Sequence, residues 1–221
     1  MSQSVQIPLF QGIDPADLER LLGCLGAARR RYRKGDVILA EGSPTTWVGV
    51  VLAGRVLMEK SDIFGGNTLL GSAGPGAVFA EAYACLPEEP LQISVTAAEE
   101  TTVLFLQVGK VLAACPRQCP FHTALIRNLL AISAQKNLQL SRRILHTQSK
   151  SIRGRLLSYF SEQVKAAGGS RFTIPYTRQQ LADYLGVDRS ALSATLSKMQ
   201  QEGLIRYRRN EFEVVQPGKM P

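Results

Sequence analysis

The chain lacks any apolar run near the roughly 18–20 residues that a membrane-crossing helix needs. Its first ten residues, MSQSVQIPLF, lack the basic start and apolar core of an export signal. These two absences point to a protein that neither spans a membrane nor leaves the cell. Cysteine occurs four times with no disulfide framework, which fits a reducing cytoplasm. Histidine occurs only twice, as His122 and His146. A roll-fold enzyme such as a metal-dependent dioxygenase needs several histidines and a carboxylate lining its barrel. Two histidines outside the strand-rich region exclude that class, and no catalytic residue is assigned. Acidic residues are scarce in one place. From Arg142 to Pro221 there are 14 Lys and Arg against 6 Asp and Glu, whereas Met1 to Ser141 holds 12 of each. The net charge of +8 therefore belongs wholly to the C-terminal third of 221 residues. A basic excess confined to one segment is the footprint of a protein that grips phosphate backbones.

That segment carries a matching pattern. Leu181, Ala182 and Leu185 keep helical spacing, Gly186-Val187 breaks the run, and Asp188 is suited to cap a second helix starting at Arg189. Leu192, Leu196 and Met199 share one face of that helix. The opposite face offers Arg189, Ser190, Ser193, Ala194, Ser197 and Lys198. Short side chains let a backbone enter a major groove, and an arginine at the helix start can reach guanine edges. Thr177, Arg178 and Gln179 at the start of the first helix and Asp188 at the start of the second are expected to contact DNA as well. Glu202-Gly203 ends the second helix. Residues 204–207 and 212–215 then flank a polar turn over Arg208–Glu211, which predicts a hairpin wing carrying Arg206 and Arg208. An ordinary helical hairpin with a solvated basic face would share the spacing, but not the wing and the charge asymmetry together.

Upstream, Asp14-Pro15 predicts a helix start, with Leu18, Leu21 and Leu22 inward. From Arg29 to about Lys110 the chain changes character. Short β-rich runs at 37–39, 47–52, 55–58, 68–70, 93–96 and 102–106 are separated by glycines, which predicts a small antiparallel barrel or double-sheet roll. Trp47 reads as roll core. Residues 121–150 then contain neither proline nor glycine, which predicts one long helix. Leu125, Leu129 and Ile132 have the 4-3 spacing of a coiled-coil seam and are expected to join two copies, although packing on the chain's own roll would use the same residues. Residues 151–167 predict a further amphipathic helix, residues 172–175 an extended piece, and residues 147–151 the hinge. The expected domains are thus a sensory roll at 1–119, a dimerisation helix at 120–150 and a reading domain at 151–221.

The order of parts resembles the Crp/Fnr family of bacterial transcription regulators over nearly the whole chain. The resemblance rests on YRKGDVILAEG (32–42), LAGRVLM (52–58), GPGAVFAEAYAC (74–85), the long helix and TRQQLADYLGVDRSALSATLSKMQQEGLI (177–205). It implies an α+β chain: an N-terminal double-stranded β-helix of the jelly-roll, cyclic-nucleotide-binding type, a long dimerisation helix and a C-terminal winged helix-turn-helix. It also implies a homodimer that binds a palindromic promoter site on double-stranded DNA, contacts RNA polymerase and answers to a small-molecule or redox effector.

Two departures bear on the effector. Members that bind cyclic AMP use a glycine-glutamate pair, then Arg-Ser about ten residues on. Here the first pair is Ala80-Glu81, followed by Ala82, and the second falls at Gln92-Ile93, followed by Ser94. Gln92 cannot neutralise a phosphate, and an anion buried without a guanidinium is unfavourable. The expected effector is therefore not cyclic AMP, with a cyclic-nucleotide-binding regulator kept as the alternative. If an organic effector binds, Ala80, Glu81, Ala82, Gln92, Ile93, Ser94 and Asn137 are expected at its site. The cofactor stays open. Cys115, Cys119 and His122 lie within eight residues and could share a metal or haem iron or act as redox thiols. Their spacing matches no standard zinc pattern. The plainer reading makes the thiols small buried hydrophobes and His122 an exposed residue at a helix start. His146, among Arg142, Arg143 and Lys150, reads as solvated or as facing phosphate.

Overall fold

The computed structural model describes residues 7–61, 67–112 and 120–215 and forms two compact units, Met1–Gln135 and Lys136–Pro221. The division falls inside the long helix. The first unit opens with a 3-10 turn at Pro8–Phe10 and helix α1 (Pro15–Cys24). Asp14 caps α1 by accepting the Ala16 amide at 2.9 Å, and Pro15 fills a first-turn position that has no partner for an N–H. Eight strands follow: β1 (Ala28–Tyr32), β2 (Val37–Leu39), β3 (Trp47–Ala53), β4 (Val56–Ser61), β5 (Asn67–Ala73), β6 (Val78–Phe79), β7 (Ser94–Ala97) and β8 (Thr101–Gln107). Helix α2 (Glu81–Cys85) separates β6 from β7, and helix α3 (Val108–Leu112) follows β8.

The strands form two antiparallel sheets, ordered β1-β8-β3-β6 and β2-β7-β4-β5, which is the expected double-sheet roll. Between the sheets lie Val51, Val56, Phe79, Val95, Val103 and Phe105. Trp47 packs at the edge of this core, as expected. Two strands escaped the sequence pattern. The sequence of β1, ARRRY, has no apolar alternation; it is extended because it pairs with β8 from Ala28↔Phe105 to Tyr32↔Thr101. As an edge strand it tolerates exposed arginines, which also deter unwanted pairing. Strand β6 has two residues only. It pairs with β3, where Gly49 lies opposite Phe79. A Cβ on Gly49 would stand 2.2 Å from the Phe79 ring, so only glycine fits there.

Helix α4 (Pro120–Thr147) is continuous for 28 residues and stops three short of the expected Lys150. Its buried stripe corrects the expected seam. Leu125 (0% exposed) and Leu129 (6%) are sealed into a core with Leu9, Phe10, Leu21, Leu25, Val50 and Leu106, and Ile132 packs at its margin. Asn128 strengthens that attachment by donating its side-chain amide to the Leu9 and Gln11 carbonyls at 3.0 and 2.8 Å. These leucines therefore cannot form the meeting face of two copies. A different stripe is exposed: Ile126, Leu130, Leu140 and Ile144 are 36%, 68%, 61% and 65% exposed.

The second unit contains the last turns of α4, helix α5 (Ile152–Ala167), strand β9 (Arg171–Thr173), helices α6 (Arg178–Leu185) and α7 (Arg189–Gln201), and strands β10 (Ile205–Arg208) and β11 (Glu211–Val214). Ser151 caps α5 through the Gly154 amide. The wing is a three-stranded sheet ordered β10-β11-β9, so the extended piece before Pro175 belongs to it. Its turn is tighter than the expected Arg208–Glu211. Those two residues pair with one another, which leaves only Arg209-Asn210 between the strands, with Arg209 at φ 56°. Phe160, Phe172 and Phe212 form the aromatic centre, with ring centroids 4.9–5.9 Å apart. Among the described residues, no helix is long and apolar enough to cross a membrane.

Candidate nucleic-acid interface and effector site

Helix α6 starts with a reciprocal cap. The Thr177 hydroxyl accepts the Gln180 amide at 3.3 Å, and the Gln180 side chain accepts the Thr177 amide at 2.9 Å. The helix ends at Gly186, whose φ of +63° lets the chain turn directly into α7. Asp188 then caps α7 through the Ala191 amide at 2.8 Å. Leu181, Ala182 and Leu185 from α6 meet Leu192, Leu196 and Met199 from α7, all six at 0% exposure. The buried stripes expected from spacing are thus the observed ones, and they fix which side of α7 faces outward.

That outward side presents Arg189, Ser190, Ala194, Ser197 and Lys198, all exposed. Ser193 is half-buried, and its hydroxyl donates to the Arg189 carbonyl at 2.9 Å, so only its oxygen lone pairs remain for a ligand. Thr177 and Gln179 are exposed at the start of α6, and Arg206 and Arg208 are exposed on β10. Glu213 stands 3.1 Å from Arg171 and 4.0 Å from Arg206 and partly neutralises that row. Arg178 is placed differently from its neighbours. Its guanidinium lies over the Tyr207 and Phe212 rings at 5.1 and 5.8 Å, and burial lowers its pKa from the ordinary arginine value. It braces the wing against α6 more than it faces solvent, a contact worth about 0.5–2 kcal/mol. Arg209, at the exposed wing tip, was absent from the sequence-derived set. Its position in a polar run between two strands was the available signal. A concavity of about 450 Å³ lies between this tip and the start of α6, lined by Tyr176, Thr177, Arg178, Arg209 and Asn210.

In the roll, Ala80 occupies the left-handed region at φ 61° and precedes α2. The backbone therefore keeps the glycine-like shape of the family pattern while carrying a methyl group. Glu81 is buried, at 7% exposed, and engaged in the fold; Ala82 is exposed. Gln92 is exposed and Ile93 half-buried. The residue turned inward is the neighbour Leu91, at 2% exposed, whose amide and carbonyl bond to Ser43 and Gly42. Ser94 accepts the Glu41 amide at 3.2 Å. One cation does stand beside Gln92: Lys60 donates to its carbonyl at 2.9 Å. Lys60 is also paired with Glu41, whose carboxyl that hydrogen bond holds below its usual range. Asn137 is exposed on α4 in the other compact unit.

Cys115 and Cys119 lie outside the described residues. Cys24 and Cys85 are exposed free thiols, and burial beside Glu81 raises the Cys85 pKa. His122 corrects the expectation of an exposed residue: at 8% exposed, its Nε2 bonds to the Lys110 and Val111 carbonyls at 3.1 and 2.9 Å. Carbonyls only accept, so this nitrogen carries a proton and is unavailable to a metal. His146 corrects the solvated reading, being 3% exposed. Among the described residues, no three His, Cys, Asp or Glu side chains cluster as a metal site.

Comparison with known proteins adds two family models. Residues 29–118 match the cyclic nucleotide-binding domain, and residues 154–220 match the Crp-like helix-turn-helix domain. The cyclic AMP receptor protein of Thermus thermophilus is 26% identical over 207 residues, covering 94% of this chain and 92% of its own. A CRP-like cAMP-activated global transcriptional regulator of Mycobacterium tuberculosis is 23% identical over 199 residues, covering 90% and 88%. Among solved structures, OCPA-complexed CprK superposes with a TM-score of 0.66 at 20% identity, covering 91% of this chain and 92% of that one.

Proposed function

The chain belongs to the Crp/Fnr family of transcription regulators, and on that premise we propose that it works as a homodimer on a palindromic promoter site under the control of an effector other than cyclic AMP. The observation that carries the reading is the outward face of α7. Its buried stripe is taken up by α5, α6 and β10, leaving one arginine and a row of short side chains free for a major groove. Arg189 reads a base; Ser190, Ser193 and Ser197 meet bases or phosphate; Thr177, Gln179, Lys198, Arg206, Arg208 and Arg209 meet phosphate. Contact with RNA polymerase follows from the family.

The exposed stripe of α4 supports pairing. Ile126, Leu130, the half-buried Ser133, Asn137, Leu140 and Ile144 alternate at spacings of four and three, a heptad seam with polar Ser133 and Asn137 at its middle. Two copies related by a two-fold axis along this stripe present two reading helices to two half-sites. For the effector, the roll offers Leu91, Gln92 and Ile93 where an anion would need an arginine, and its nearby cation, Lys60, is already neutralised by Glu41. An uncharged or weakly charged organic ligand suits these groups better than a cyclic phosphate. Two relatives are named for cyclic AMP, so a cyclic-nucleotide regulator is the second reading.

The test is titration of double-stranded promoter fragments at several salt concentrations, with and without cyclic AMP. Affinity should fall steeply with salt, by a log–log slope of about 0.9 for each phosphate contacted. Indifference to duplex DNA at low salt overturns the proposal; a large gain with cyclic AMP transfers it to the second reading.

A further inference from the structure

The end of α4 meets the reading domain through side chains that neither base contact nor effector binding uses. His146 places Nε2 at 2.6 Å from Glu162 Oε2 on α5, and Nδ1 at 2.8 Å from the Tyr184 hydroxyl on α6. The carboxylate only accepts, so Nε2 carries a proton, and Nδ1 shares a hydrogen bond with the Tyr184 hydroxyl. Burial pushes the Tyr184 pKa up to about 12, which keeps that hydroxyl protonated. Tyr159 stands edge-on to the imidazole at 5.4 Å, and Tyr176 stacks on Tyr184 at 5.2 Å.

One turn earlier on the same helix face, Arg143 reaches the C-terminal end of α6 as well. Its Nε and Nη2 donate to the Tyr184 and Asp183 carbonyls at 3.0 and 2.9 Å, and the guanidinium lies 5.9 Å over the Tyr184 ring. A cation there also offsets the negative end of α6. Arg142 adds a contact to Glu162 at 3.3 Å. The long helix thus grips one tyrosine by its hydroxyl, its ring and its backbone carbonyl.

We propose that Arg143 and His146 act as positioning residues, a two-pronged clamp that fixes the reading helix relative to the end of α4 and thereby sets the half-site spacing the dimer accepts. Tyr184 belongs to the helix whose Leu181, Ala182 and Leu185 are locked against α7, so holding the tyrosine holds the reading helix. No other side chain of α6 is bonded to α4 through both its ring and its backbone among the described interactions. The inference rests on the paired-half-site reading above, and the experiment separates the two.

The probes are two synthetic palindromes that differ by one base pair inserted at the centre, which moves the half-sites by about 3.4 Å and about 35°. The wild-type chain should prefer the matched spacing by tenfold or more. His146→Ala and Tyr184→Phe should reduce that preference at least threefold, chiefly by binding the mismatched site relatively better. Tyr184→Phe keeps the ring packing and decides the matter if His146→Ala does not fold. A loss of stability alone would lower binding to both palindromes alike, so the ratio isolates positioning. A wild-type protein that discriminates, with variants that discriminate equally well, overturns the clamp. A wild-type protein that binds DNA without regard to spacing overturns the paired-half-site reading and the clamp with it.

Discussion

Replacing Leu130 with aspartate separates the two stripes of the long helix. Leu130 is 68% exposed, whereas its neighbour Leu129 is 6% exposed within the roll core. Fully burying a leucine contributes about 1.5–3 kcal/mol relative to leaving it in water, so hiding the two-thirds that remains is worth about 1–2 kcal/mol. A two-fold dimer counts it twice, about 2–4 kcal/mol. Leu130→Asp loses this and also forces a charge toward its symmetry mate. A loss of about 3 kcal/mol weakens dimerisation roughly a hundredfold. Sedimentation over a concentration series should show a folded monomer, with binding to a palindrome reduced in proportion. Leu129→Asp should instead lower the melting temperature sharply, because it places an unpaired carboxylate in the core that holds α4 to the roll. A Leu130→Asp protein that still sediments as a dimer at wild-type concentrations refutes the seam and the stripe assignment behind it.

Arg189→Ala should relax selectivity at one base position by about 1–3 kcal/mol, read by competition among operators changed at single positions; an unaltered sequence preference removes its base-reading role. Arg209→Ala at the wing tip should weaken binding to all sequences alike and reduce the salt slope by about 0.9, a change absent if the tip touches no phosphate. Ala80→Gly should stabilise the roll. An L-residue in the left-handed region is disfavoured by about 1–2 kcal/mol, and the extra freedom of unfolded glycine returns about 0.5–1 of that. The urea midpoint should therefore rise, and a fall would show that the Ala80 methyl makes contacts worth more than its strain.

Much of the reading domain was legible because its signals are local. The cap at Asp188, like the one at Asp14 in the first unit, needs only a side-chain oxygen a few residues from an unpaired amide. The Leu192-Leu196-Met199 stripe needs only the 3.6-residue period. Strand β1 was not legible, since ARRRY becomes extended through partners 69 to 77 positions away. His146 was misread for the same reason: its neighbours in sequence are cationic and exposed, but its neighbours in space are Tyr159, Glu162 and Tyr184.

The sequence by itself determined where charge sits, where α1 and α7 begin, and which face of α7 stays exposed. Each follows from short-range spacing or from a sum over residues, and neither depends on what lies across the fold. Only the tertiary structure decided which apolar stripe of α4 is core. Leu125-Leu129-Ile132 and Ile126-Leu130 are one residue out of phase and equally hydrophobic in sequence. The choice between them was made by the N-terminal turn, α1 and the roll, which close over Leu125 and Leu129 and leave Leu130 in water.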